Sequence, residues 1–202
     1  MSLLIVVDTE TTGLDPGAGC VWDLGAVALR DGCIVGEFES LVRPHPDRFQ
    51  REQRAVVKRI SRLDDAGLLA LFDAPPVRVV EDRLAEWWRS FSPAIPVTFT
   101  SFNVAFDSKF LIHDPWELGY APWGPCVMEA CREPMAQAGL LQRTSDGQRW
   151  KWPKLTAACA FFHIPFEETH CALSDARAAA ALAIRLGLSA PAMTSPTLAL
   201  EF

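Results

Sequence analysis

The sequence predicts an α/β domain in which a central mixed sheet of five strands carries helices on both faces. Short apolar runs rich in β-branched residues lie at 3–7, 21–30, 33–42 and 95–100, with a shorter candidate strand at 125–128. Longer helical patterns such as residues 79–91 separate the later strands. Asp31 and Gly32 suit the positive φ angles of a type I′ turn, so the second and third strands are expected to form a hairpin.

Length and composition indicate one domain with its own core. The chain has 202 residues, of which 50% are hydrophobic. Residues 1–188 are expected to form the domain and residues 189–202 a flexible tail, because the apolar pattern stops after Gly187. The six cysteines include no CxxC pair, which favours reduced thiols. The opening apolar run is too short for a signal or a membrane span, so a cytoplasmic location and no membrane partner are expected.

Two acidic residues, Asp8 and Glu10, follow directly on the first apolar run. Side chains of a strand alternate between faces, so these two carboxylates project the same way. Adjacent like charges are costly unless a cation lies between them. An isolated pair of this kind is more often a solvated strand end. Gly13 and Leu14 strengthen the metal-site interpretation, because glycine lets a ligand approach the backbone and the leucine can wedge against a base.

A second polar string, SFNVAFDSKF, follows the strand pattern at 95–99. If Asn103 caps or precedes a helix over residues 104–112, Asn103 and Asp107 lie on the same side of it, while Phe106 and Phe110 provide packing. An aspartate in the first turn of a helix is commonplace because it complements the helix dipole. Taken alone, this string predicts no function.

The third string, HCALSDARA, precedes an alanine-rich helix predicted over residues 176–186 and ended by Gly187. Asp175 falls near the first turn, and His170 lies five residues earlier. Both side chains can reach one site only if the histidine lies outside the helix. Histidine titrates near pH 6.5, so His170 suits a base that activates water. The other three histidines have no comparable neighbours and are left unassigned.

DTETTGL, NxxFD and HxxxxD, in this order, resemble the motifs of the DEDDh 3′-5′ exonucleases, the family of the epsilon proofreading subunit of bacterial DNA polymerase III, ribonuclease T and oligoribonuclease. The resemblance runs from about Leu3 to Leu188. It implies a ribonuclease-H-like fold whose first three strands are antiparallel. One departure is Glu129, where relatives often have aspartate, and no catalytic role is assigned to it.

The resemblance also implies the chemistry of the site. Asp8, Glu10, Asp107 and Asp175 would hold two Mg²⁺ or Mn²⁺ ions, with Asp8 bridging them, and His170 would take the proton from the attacking water. Carboxylates are the hard oxygen ligands that these ions prefer. Two ions about 3.5 to 4 Å apart can stabilise both the attacking and the leaving oxygen of a phosphodiester. The predicted substrate contacts are Thr11, Gly13, Leu14, Asn103, Phe106, Trp150 and Trp152.

The expected function is metal-dependent hydrolysis from the 3′ end of single-stranded nucleic acid. DNA is favoured over RNA, although recognition of the 2′-hydroxyl depends on pocket geometry that spacing does not reveal. The alternative is a weakly catalytic or non-catalytic subunit that binds a polymerase or sliding clamp. Filled catalytic positions favour the enzyme.

Net charge and local cations bear on how substrate is held. The formal charge of −6 argues against a broad electrostatic nucleic-acid binder. In residues 148–154, QRWKWPK, three cations alternate with Trp150 and Trp152, so that bases can stack on the rings while the cations follow the backbone. The alternative is a surface loop that its tryptophans anchor to the core.

The end of the chain suggests a partner. TLALEF, residues 197–202, resembles the short sliding-clamp-binding motifs of replication proteins, with Thr197 in place of the usual glutamine. The alternative is a plain disordered tail.

Overall fold

The computed structural model describes residues 2–61, 63–91, 97–113, 115–167 and 169–190, without the side chains of residues 60 and 120. Its four strands are β1 Leu3–Thr11, β2 Val21–Arg30, β3 Cys33–Leu41 and β4 Val97–Ser101. Its α-helices are α1 Arg51–Ser61, α2 Asp65–Ala70, α3 Val77–Phe91, α4 Val104–Leu111, α5 Val127–Gln137, α6 Leu155–Phe161 and α7 Ala172–Arg185. The predicted tail lies outside the described residues from position 191 onward.

The sheet is mixed, as the sequence predicts. Its strand order is β3-β2-β1-β4, with the first three strands antiparallel and β4 parallel to β1. Asp31 and Gly32 have φ angles of 50° and 77°, which confirms the turn between β2 and β3.

The predicted fifth strand at 125–128 is wrong, since Cys126 is the N-cap of α5 and the helix begins at Val127. The segment before it touches β4 at one point, a parallel bridge between Phe99 and Trp123. Pro122 and Pro125 flank that bridge. Phe99 N donates to Pro122 O and Gly124 N donates to Phe99 O, so residues 122 and 124 face β4. Pro122 has no N–H with which to continue the ladder toward residue 121, and on the other side the chain enters α5 at Val127.

Alternation along β1 divides the core between the two faces of the sheet. Leu3, Ile5 and Val7 pack in one apolar cluster with side chains of α3 and α4. Leu4 and Val6 pack in the other with α5, α6 and α7. The even-numbered face of β1, which carries Asp8 and Glu10, is therefore the face that α7 covers.

Helix α7 approaches the sheet closely because β2 carries glycine at position 25. A Cβ atom there would lie 2.3 Å from backbone atoms of Ala172 and Leu173. Gly25 is also paired with Asp8 in the ladder between β1 and β2. The first turn of α7 therefore lies against the backbone directly beside Asp8.

Helix α7 begins four residues earlier than the sequence predicts. The backbone N–H of Ala172 donates to Asp23 Oδ2 on β2 at 3.0 Å, so a side chain from the sheet satisfies a donor of the first turn. At its other end, packing extends slightly beyond the predicted domain boundary at 188, since Ala190 is 7% exposed and belongs to the core cluster on the α7 face.

Two further sequence expectations concern thiols and membranes. All six cysteines are free. Within the described ranges, no helix has the length and apolar character needed to cross a bilayer.

Candidate active site

Three carboxylates meet where β1 ends and α7 begins. One oxygen each from Asp8, Glu10 and Asp175 lies within 4.8 Å of the others. The strand alternation predicted for Asp8 and Glu10 puts both on the face that α7 covers, and Asp175 comes from the first turn of that helix. Residues separated by 165 positions in the sequence are thus brought into one group of hard oxygen donors.

Asp107 reaches the same end of β1 from α4. Its Oδ1 accepts hydrogen bonds from the backbone N–H of Thr9 at 3.1 Å and from Thr9 Oγ1 at 2.8 Å. Asp107 is 3% exposed, so these bonds fix a buried carboxylate against the residue between Asp8 and Glu10. Asp107 is not one of the three residues whose oxygens lie within 4.8 Å of one another, but it adjoins them through Thr9.

The acids of the site raise one another's pKa values. Burial raises the pKa of Asp8 well above its ordinary value, and the charges of Asp107, Asp175, Glu10 and Asp23 raise it further. Burial also raises the pKa of Asp107 to about 6, partly offset by the hydrogen bonds from Thr9. Hard oxygen donors that repel one another fit a divalent cation, and these are the residues that would hold one.

His170 lies on the loop immediately before α7, whose N-cap is Cys171. The requirement that this histidine lie outside the helix is therefore met. Its φ is 51°, in the left-handed region that non-glycine residues rarely adopt, and its side chain is half-buried. Backbone strain of this kind persists only where the surroundings hold it, as is common at functional sites.

The end of β1 and the turn after it carry three of the predicted substrate contacts, Thr11, Gly13 and Leu14. Two hydrogen bonds join the ends of the turn: the N–H of Thr12 donates to Cys20 O, and Thr12 Oγ1 accepts from Cys20 N, both at 2.9 Å. Thr11 is buried and donates its hydroxyl to Gly13 O at 2.8 Å, so it shapes the turn. Leu14 is 79% exposed. An apolar side chain held this far into solvent is available to a ligand.

Helix α4 and its N-cap carry two more of the predicted substrate contacts, Asn103 and Phe106. The helix also carries Lys109, a residue that the sequence analysis did not single out. Asn103 is its N-cap residue and makes no side-chain capping bond. Phe106 is half-buried, with its ring centroid 5.3 Å from that of Phe110. Lys109 Nζ lies 4.9 Å from the Phe106 centroid and donates to the carbonyl oxygen of Leu14. Lys109 therefore ties the Leu14 turn to α4.

Trp150 and Trp152 lie on the segment between α5 and α6. Residues 142–151 form a small hairpin with a bridge between Arg143 and Trp150, and the Arg143 guanidinium lies 3.9 Å from the Trp150 ring centroid. Trp152 is 52% exposed, and Arg132 of α5 lies 4.2 Å from its centroid. Both indoles are thus paired with cations at the surface.

Sequence reasoning missed Thr9, Asp23, Gly25 and Lys109. Only Gly25 carried a usable signal, since an isolated glycine inside a strand pattern indicates close backbone approach. The others act through partners that are distant in sequence.

Comparison with known proteins identifies the family. The family model described as Exonuclease (RNase_T) matches residues 5–183. The chain belongs to this exonuclease family. Among curated relatives, this exonuclease domain is similar to the PolC-type DNA polymerase III of Bacillus cereus, with 27% identity over 90% of the chain, and to that of Staphylococcus haemolyticus, with 30% identity over 58%. The chain spans only 11% and 7% of the length of these two relatives.

Solved structures confirm the ribonuclease-H-like fold. Exonuclease X in complex with 5′ overhanging duplex DNA has 24% identity and a TM-score of 0.57, with 91% of this chain and 90% of that one covered. Escherichia coli Exonuclease I in complex with a dT13 oligonucleotide has 16% identity and a TM-score of 0.66, covering 91% and 40%. The nuclease domain of 3′hExo, a DEDDh family member bound to rAMP, has 17% identity and a TM-score of 0.63, covering 92% and 91%.

Proposed function

We propose that this exonuclease domain removes nucleotides from the 3′ end of single-stranded nucleic acid, with DNA favoured over RNA, in a reaction that requires two Mg²⁺ or Mn²⁺ ions. The observation that carries the proposal is the meeting of Asp8, Glu10 and Asp175 within 4.8 Å, with Asp107 fixed at their border. Burial and the neighbouring carboxylates raise the pKa of Asp8, so gathering these acids disfavours their charged forms. A purely structural role does not explain such an arrangement, whereas binding of a cation does.

Divalent cations held by these carboxylates would supply positive charge for the attacking and leaving oxygens of the phosphodiester. His170 is the proposed base that takes the proton of the attacking water, because it lies on the loop leading into Asp175 and belongs to the one side-chain type that titrates near neutrality. Thr9 orients Asp107 through two hydrogen bonds, and α7 orients Asp175.

The 3′-terminal nucleotide is proposed to contact the turn after β1 and the start of α4. Leu14 presents an exposed apolar side chain to a base, and open space at Gly13 lets the strand approach the backbone. Asn103 has a side chain uncommitted to helix capping, and Phe106 adds an aromatic surface. The DNA ligands named for Exonuclease X and Exonuclease I support DNA as the preferred substrate, while 3′hExo was bound to rAMP.

One gel tests direction, sugar and metal together. Purified protein is incubated with 3′-labelled or 5′-labelled DNA and RNA oligonucleotides in Mg²⁺, Mn²⁺ or EDTA. A ladder of 5′-labelled DNA products shortened from the 3′ end, absent in EDTA and absent for Asp8→Asn, is expected. Shortening from the 5′ end, or activity retained by Asp8→Asn, would contradict the proposal.

Trp150 of the hairpin and Trp152, just after it, are proposed to hold the single strand upstream of the site. Trp150 and Trp152 each lie against an arginine, so a base stacked there would have a cation beside it. Trp150→Ala in an Asp8→Asn background should weaken oligonucleotide binding about 5- to 100-fold, the value of one stacked base. Leu140→Ala, at another exposed apolar residue of this region, is the control. Unchanged affinity with unchanged stability would favour a purely structural hairpin.

A partner is proposed for the last residues. The PolC-type relatives are DNA polymerases, and the clamp-motif resemblance of residues 197–202 would fit a replication partner. These residues lie outside the described part of the chain. Capture of the host's sliding clamp by the full chain, and not by a chain ending at Ala190, is expected, and equal capture by both would remove the tail from consideration.

A further inference from the structure

We propose that Asp23, Glu39 and Cys171 form a second metal site, selective for a zinc-class divalent ion and separate from the catalytic carboxylates. One carboxylate oxygen from each acid and the Sγ of Cys171 all lie within 4.8 Å of one another. Asp23 comes from β2, Glu39 from β3 and Cys171 from the N-cap of α7, so the group joins three elements. None of these residues belongs to the group formed by Asp8, Glu10 and Asp175.

The state of Asp23 points to a missing ligand. Its side chain is 5% exposed, and its Oδ2 accepts the N–H of Ala172 at 3.0 Å. Its Oδ1 is buried and makes no hydrogen bond to any residue that the structure describes. A buried carboxylate oxygen without a partner is costly, and burial with the nearby charge of Glu39 raises the pKa of Asp23 to about 6. A cation within the group would satisfy that oxygen.

Cys171 and Glu39 supply the other two donors. The Cys171 thiol donates to Glu39 Oε1 at 3.4 Å. A divalent ion would take the place of that proton, leaving a thiolate and two carboxylates as ligands and releasing the proton to solvent. This mixed sulfur and oxygen set is one that zinc accepts, whereas Mg²⁺ avoids thiolates, so the site would discriminate between the structural ion and the catalytic ones.

The neighbouring cation Arg177 does not take the place of a metal. Arg177 acts electrostatically on Glu39 and Cys171, but its guanidinium donates two hydrogen bonds, at 2.9 and 2.6 Å, to the carboxylate of Glu37. The ion pairs among the described residues include none for Asp23 or Glu39. The group therefore keeps a net negative charge that favours a divalent ion.

Occupancy would connect β2, β3 and the first turn of α7. Cys171 is adjacent to His170 and four residues before Asp175, so the ion would hold in place the segment that carries both. The proposal does not depend on the enzymatic role of the domain, because binding and stability test it without turnover.

Cobalt is the probe, since Co²⁺ bound by a thiolate has a near-ultraviolet charge-transfer band that oxygen ligands do not give. The titration uses Asp8→Asn protein, which weakens the catalytic site, under reducing conditions. A band that grows to one equivalent and is displaced by Zn²⁺ is expected. It should persist with Cys33→Ser, an exposed cysteine elsewhere on the sheet, vanish with Cys171→Ser, and fall with Glu39→Gln.

Thermal unfolding provides the second measurement. Zn²⁺ should raise the Tm of the Asp8→Asn and Asp8→Asn/Cys33→Ser proteins and leave that of Asp8→Asn/Cys171→Ser unchanged. Absence of the band in the parent, or its persistence after Cys171→Ser, would overturn the proposal, the latter by placing the metal on other cysteines. Failure of the nuclease assay would not affect either measurement.

Discussion

Substituting Gly25 by alanine should disable the site without touching a functional side chain. The added Cβ would lie 2.3 Å from the carbonyl carbon of Ala172 and the nitrogen of Leu173, whereas ordinary contact begins near 3.4 Å. Both neighbours are backbone atoms, so no side chain can rotate away. Helix α7 and β2 must therefore separate by about 1 Å.

That separation acts directly on the carboxylate group. Asp8 is paired with Gly25, and Asp175 is three to four residues along the helix whose first turn would be displaced. A displacement of about 1 Å in an active site costs on the order of 100-fold in rate. We expect Gly25→Ala to lower kcat on single-stranded DNA by about that factor and to weaken Mn²⁺ binding, while the protein stays folded.

Gly36→Ala is the matched control. A Cβ at this position of β3 would also lie 2.3 Å from its neighbour, but the neighbour is the ring of Phe91, a side chain that can move. It should therefore reduce stability while leaving Mn²⁺ affinity and kcat near those of the unmodified chain. Paramagnetic titration of Mn²⁺, gel assays and urea unfolding check these quantities. Equal loss of rate and of Mn²⁺ affinity in both variants, or full activity of Gly25→Ala, would refute the reasoning.

Three further outcomes follow from the site. Asp8→Asn should abolish hydrolysis yet raise the free energy of unfolding in EDTA at pH 7, because it removes a buried charge that its neighbours repel; a lower free energy in urea unfolding would contradict this. The metal-free chain should lose stability as pH rises from 4 through 6 and above, because raised pKa values at Asp8 and Asp107 make the folded state bind more protons than the unfolded state in that window. Urea unfolding across pH checks this, and saturating Mg²⁺ should remove the loss; stability that rises over the same range without metal would refute it. His170→Asn, which tolerates the positive φ, should lower the rate about 10²- to 10⁴-fold and keep Mn²⁺ affinity. The same change at His163, exposed with φ 58°, should leave both the rate and the Mn²⁺ affinity unchanged; full activity of His170→Asn at pH 8 would assign the base elsewhere.

The parts of the molecule that local patterns determine were predictable. Alternation along β1 put Asp8 and Glu10 on one face, and the Asp31-Gly32 pair specified the hairpin. The position of Asn103 at the start of α4 followed from the polar residues after a strand. Each of these depends on neighbours within a few positions, where sequence spacing and geometry are directly related.

The features that sequence reasoning missed depend on distant partners. The early start of α7 depends on Asp23, which lies 149 residues before the N–H that it accepts. The orientation of Asp107 depends on Thr9, 98 residues away. The predicted fifth strand was wrong partly for a local reason, since Pro122 has no N–H to donate to β4, but only the fold shows that Trp123 adjoins β4.

The paired hydrogen bonds between Thr12 and Cys20 separate the turn at 13–19 from the strand that holds the acids. When the two ends of a loop are hydrogen-bonded to each other, the loop can change in length and composition without moving the strands on either side. On the proposal that Leu14 contacts the terminal base, grafting the corresponding turn of another exonuclease between Thr12 and Cys20 should change nucleotide preference while leaving Asp8 and Glu10 in place. This makes the turn a natural place to redesign selectivity.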